Sequence, residues 1–146
     1  MTTVDAGIHG DPSTGADRPG RNLRQGWMVF TILLAAGFFL EAIFAGSILS
    51  GVTWARKAHA ATAMILIATT FTGGLIGLVT LRRVRRGPRV GLTLLSLAAA
   101  ALVQGALGAM TAKGANLTWI HVPLGVALVS LAGLAVMAAR GLGRDV

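Results

Sequence analysis

Polar positions in this chain fall in short blocks. Between them lie four long apolar runs, Gly26–Leu49, Lys57–Leu81, Val90–Ala112 and Thr118–Ala139. A helix needs about 20 residues to cross the hydrocarbon core of a bilayer, and each run is long enough. The pattern predicts an all-α integral membrane protein. Short loops make consecutive helices antiparallel neighbours, so the economical architecture is an up-down four-helix bundle over residues 26–140. The first 25 residues are polar, with three aspartates, and are expected to form a disordered tail. His9 lies in that tail and is given no role. Residues 141–146 form a short C-terminal extension. The first run is too long for a signal-peptide core and contains Glu41, so it is expected to be kept as a span.

Composition agrees with this pattern. Of the 146 residues, 54% are hydrophobic and only 12% charged, with a mean hydropathy of +0.73, where soluble domains carry roughly a quarter charged residues. Cysteine is absent, which excludes disulfides, thiolate metal sites and cysteine catalysis. The net charge of +8 would suggest nucleic acid in a soluble protein, but here the basic residues follow the spans. Arg18, Arg21 and Arg24 precede the first run. Arg82, Arg83, Arg85, Arg86 and Arg89 fill the loop after the second, and Arg140 and Arg144 follow the fourth. These lie on one side, and only Arg56, Lys57 and Lys113 on the other. The positive-inside rule then places both termini in the cytoplasm and the protein in the plasma membrane. Topology accounts for "RRVRRGPR" without nucleic acid, and a weak attraction to anionic lipid suits it better. Trp27 is expected at the inner interface, Trp54 and Trp119 at the outer one. The glycines, alanines and hydroxyl residues within the spans read mainly as helix-packing positions.

Two halves of the chain look alike. Gly46 is followed thirteen positions later by His59, and Gly108 thirteen positions later by His121. A polar residue precedes each glycine within the membrane, Glu41 in one half and Gln104 in the other, with a one-residue offset. The chain thus resembles two copies of a helical hairpin, a parallel repeat. His59 and His121 each lie near the start of a span that runs inward from the outer surface, so they sit at similar depth. In an up-down bundle their helices are diagonal partners, and the two imidazoles can face each other across the axis.

Ionisable side chains within spans usually face the bundle interior and mark functional sites. A facing pair of histidines can hold a haem iron, each giving one axial nitrogen. Ala63 and Gly125, one turn below the histidines, and Gly46 and Gly108, on the other two helices, would leave clearance for a flat macrocycle. Arg56, Lys57 and Lys113 would pair with its propionates. Plainer readings stand beside these. A histidine near a helix start can simply be solvated, and the outer basic residues can be snorkelling. Gln104 can be hydrogen-bond glue between helices. Glu41 can stay protonated, bond to Gln104, or orient an imidazole. Two histidines alone are too few for a closed zinc site.

The run "QGALGAMTAKGANLTWIHVPLG" resembles the matching helix-loop-helix of haem A synthase, an enzyme of two fused four-helix bundles, each with a histidine pair near the outer face. From Gly26 to about Ala139 the chain looks like one such bundle, and like small four-span bacterial membrane proteins with this hairpin pattern. The resemblance implies haem ligation by His59 and His121, with Gln104 and Gly108 in the polar and small positions. Two departures count against the enzyme's reaction. The family's glutamate stands four residues before a histidine, whereas Glu41 is followed there by Ala45. The second bundle is also missing. The expectation is therefore one b-type haem per chain, serving electron transfer or haem handling more readily than catalysis, with a membrane redox complex or a second copy as partner. The alternative is a cofactor-free membrane subunit or assembly factor that docks partner helices.

Overall fold

The structure, a computed structural model, describes residues 18–143. They form four helices, α1 (Arg18–Leu49), α2 (Ala55–Thr80), α3 (Gly87–Ala112) and α4 (Thr118–Arg140), with no strand among the described residues. Each helix is long and apolar enough to cross a membrane. Their ends lie within three residues of the predicted spans except at the N-terminus. There α1 begins at Arg18, so residues 18–25 belong to a helix and not to a disordered tail. Once the apolar segment has nucleated, nothing in residues 20–25 opposes propagation. Pro19 falls in the first turn, where its missing N–H leaves no helical bond unmade. Residues 1–17, with His9, and residues 144–146, with Arg144, lie outside the described residues.

Both α1 and α3 pack against α2 and α4, while the diagonal partners α1/α3 and α2/α4 keep their backbones apart. This is the up-down bundle. The loops after α1 and α3 share one end with His59 and His121, here termed the histidine end. The loop after α2 and the end of α4 lie at the other, the arginine end. Each loop at the histidine end turns on a glycine with positive φ, Gly51 (84°) and Gly114 (98°), a conformation in which a side chain would be strained.

Packing is uneven along the axis. Leu34, Leu81, Val90, Leu94, Ala135 and Ala139 are buried together towards the arginine end, and Phe38, Leu97, Ala101, Leu128 and Ala132 in the middle. Beyond Phe38 on α1, beyond Ala101 on α3 and before Leu128 on α4, no hydrophobic side chain is fully buried. The bundle loosens towards the histidines.

Trp27 belongs to the packed end. It is buried rather than placed in an interfacial belt, and meets Phe30 edge-on at 5.6 Å between centroids. Its indole fits because α2 presents Gly77, where a Cβ would come within 3.2 Å of the ring. Trp54 and Trp119 are both exposed at the histidine end.

The α2–α3 turn depends on one glycine. Arg86 takes the left-handed conformation (φ 61°), and a Cβ on the following Gly87 would collide with the carbonyl oxygen of Leu81. Backbone cannot yield as a flexible side chain does. Gly87→Ala is therefore expected to destabilise the bundle by about 2 kcal/mol, within the range for overpacked positions, read as an earlier thermal unfolding transition in detergent.

Candidate functional site

His59 sits one turn into α2 and His121 in the first turn of α4. Because these helices are diagonal partners, their side chains meet across the bundle axis. The ring centroids are 6.4 Å apart and the ring planes nearly perpendicular, at 88°. The equal depth and facing placement expected from the sequence are thus present.

The two imidazoles are held differently. Glu41 reaches from α1 to α2, bringing Oε2 to 2.6 Å from His59 Nδ1. The approach is not aligned as a hydrogen bond, since Nδ1 makes none with a described residue. The other carboxyl oxygen accepts from the hydroxyl of Thr62, which also lies 2.8 Å from the Ala58 carbonyl. Glu41 is only 13% exposed in its side chain. A carboxyl in an apolar span is costly unless it is paired, and here one carboxyl group engages two side chains of the same helix face. This contact fixes the tilt of the His59 ring. It sets the carboxyl group against Nδ1, leaving Nε2 as the ring nitrogen not in contact with Glu41. Thr62 was not singled out from the sequence, although its spacing of three from His59 puts it on the same face.

His121 is positioned through its backbone. Gln104 Nε2 donates to the His121 carbonyl at 2.7 Å, bridging α3 and α4. The bridge needs Gly125, where a Cβ would lie 3.0 Å from that amide nitrogen. It also lies beside Pro123, which cannot donate within α4 and so loosens this turn. The imidazole lies over Gly108, where a Cβ would come within 2.9 Å of Cε1. Its Nδ1 is buried without a partner among the described residues, as is Gln104 Oε1. Buried polar atoms are ordinarily satisfied; His59 Nδ1 and, away from the site, Thr70 Oγ1 also lack a hydrogen bond among the described residues.

The remaining expected residues are placed less directly. Gly125 makes room for the Gln104 amide. Ala63 is half-buried one turn below His59. Gly46 is exposed, and a Cβ there would meet nothing within 4 Å, so it restricts no part of the packing. Arg56, Lys57 and Lys113 are exposed at the histidine end, with no ion pair to a described residue. No group of three or more His, Cys, Asp or Glu side chains gathers as a metal site among the described residues. What the arrangement offers is two imidazoles from opposite helices, one backed by a carboxyl group and the other by a clamped backbone. Comparison with known protein families, curated proteins and solved structures returned no match.

Proposed function

We propose that this chain is a multi-pass membrane protein that holds one b-type haem between His59 and His121. The observation that carries the reading is their separation. Two imidazoles that share one metal through facing nitrogens, at metal–nitrogen distances of about 2.0–2.1 Å, have centroids roughly 6–6.5 Å apart. The two rings stand at 6.4 Å, and no group of three or more His, Cys, Asp or Glu side chains gathers as a metal site among the described residues. The fit extends to the chain around the rings. Glu41 at Nδ1 reproduces the carboxyl–histidine arrangement that orients metal-binding imidazoles.

A haem held this way supplies one-electron transfer, and with both axial positions filled by protein it has no open position for a substrate. The chain's own residues do the rest. His59 and His121 would bind the iron, and Glu41 and Thr62 hold the His59 ring. Gln104 anchors the backbone of His121, and Gly108 gives its ring room. Arg56, Lys57 and Lys113 would neutralise the propionates from the histidine end. That end faces outward in this reading and the arginine end faces the cytoplasm, on the strength of the basic-residue asymmetry.

The test is spectroscopic. Protein purified in detergent from haem-replete cells should give sharp α and β bands in its reduced-minus-oxidised spectrum. Their absence even after added haem would end the proposal. A second measurement concerns Glu41. A carboxyl partner on Nδ1 makes the imidazole a stronger donor and favours the oxidised iron. If roughly 1.5 kcal/mol of charge-assisted interaction distinguishes the two oxidation states, Glu41→Gln raises the midpoint potential by on the order of 60 mV. A redox titration of the variant reads this directly, and an unchanged or lowered potential would contradict the role given to Glu41.

A further inference from the structure

We infer that the arginine end binds an anionic phospholipid, with the phosphate on Arg21 and Arg24 and an acyl chain in the groove between α1 and α2. Two adjoining cavities support this. The first, of about 650 Å³, lies between α1 and α2 against Leu23, Trp27, Phe30, Ala68 and Gly73. The second, of about 520 Å³, opens at the end of the bundle beside Arg21, Arg24, Val84 and Leu142. Leu23 lines both, so the apolar slot and the basic mouth border the same side chain. Each falls within the roughly 300–1,000 Å³ usual for sites of small molecules.

The dimensions match one leaflet. Groove residues run from Asn22 to Phe30 on α1 and from Ile76 back to Ala68 on α2. Eight steps along each helix, at 1.5 Å rise, give a depth of about 12 Å. Half of a hydrocarbon core of about 30 Å is about 15 Å. The slot's length is therefore close to the hydrocarbon thickness of one leaflet.

Charge selects the headgroup. Arg21 and Arg24 are three apart on α1 and share a face, and neither has an ion pair with a described residue. Guanidinium groups bind phosphate oxygens in a fork, and basic pockets between membrane helices suit anionic headgroups. A choline lipid brings its own cation into this field. An uncharged isoprenoid would fill the slot but leave both arginines without a counter-charge.

Native mass spectrometry of the detergent-purified protein, titrated with phosphatidylglycerol and phosphatidylcholine of identical acyl chains, tests the assignment. Wild type is expected to retain phosphatidylglycerol with a preference on the order of tenfold. The R21A/R24A variant should lose the preference but keep some of both lipids. Ala68 is exposed in the groove wall, so Ala68→Phe fills the slot without disturbing the core and should lower retention of both. Equal retention by wild type, or a preference that survives R21A/R24A, would overturn the proposal. Competition by sn-glycerol 3-phosphate as strong as by the whole lipid would overturn the acyl-chain assignment.

Discussion

Replacing either His121 or His59 by alanine is expected to abolish the six-coordinate, low-spin spectrum. The effect should exceed the roughly 10–100-fold loss of affinity that follows removal of a supporting outer partner, because an axial donor itself is gone. Loss of the fold is not a competing explanation. Neither histidine belongs to the buried clusters that hold the helices together, so far-UV circular dichroism and gel filtration should match wild type. The two variants differ in what remains. Without His59, the Glu41 carboxyl keeps the Thr62 hydroxyl and loses its contact with the imidazole. Without His121, the Gln104 bridge to the backbone carbonyl persists and a ring-sized space opens over Gly108. Exogenous imidazole should therefore restore six-coordination better in His121→Ala than in His59→Ala. A normal spectrum in either single variant would refute that ligand, and failure of both to change would refute the pair.

Hydropathy and basic-residue placement made the four spans legible, because a membrane-crossing helix must be apolar whatever it packs against. The histidine pairing was legible for a related reason. Equal distance from a helix start becomes equal depth, and alternating helix direction makes α2 and α4 diagonal. The supports were not. Glu41 lacks the histidine four residues on that the enzyme family carries, and from sequence its role stayed open. The structure brings it a histidine from the next helix instead, eighteen residues along the chain. Gln104 bonds to a backbone carbonyl, and every residue has one, so its partner leaves no trace in residue identity. Trp27 has the position of an interfacial residue. Its burial depends on Gly77 of another helix, and a pairwise slot of that kind has no local pattern.

Gly91→Leu is expected to disrupt the bundle by about 3 kcal/mol or more. At this crossing α2 and α3 touch through backbone. A Cβ on Gly91 would stand 2.7 Å from the Leu78 nitrogen, and one on Gly77 would stand 3.2 Å from the Gly91 Cα. Membrane helices gain little by hiding apolar surface from one another, since lipid tails serve as well, and hold together through such close approach. Separating α2 from α3 would forfeit that contact along the packed half of the bundle, where Val90, Leu94 and Leu97 are fully buried. Gly133 supplies the contrast, for it is exposed on α4 and a Cβ there would meet nothing within 4 Å. Gly133→Leu should leave the thermal transition in detergent within about 0.5 kcal/mol of wild type, as exposed substitutions usually do. Equal stability of the two variants would mean that the Gly77–Gly91 crossing does not hold the bundle together. Because the histidines lie at the opposite, looser end, a Gly91 variant mild enough to fold, such as Gly91→Ala, should lose stability before it loses the His59–His121 spacing. Its haem spectrum would then persist up to a lowered unfolding temperature and vanish together with the helical signal.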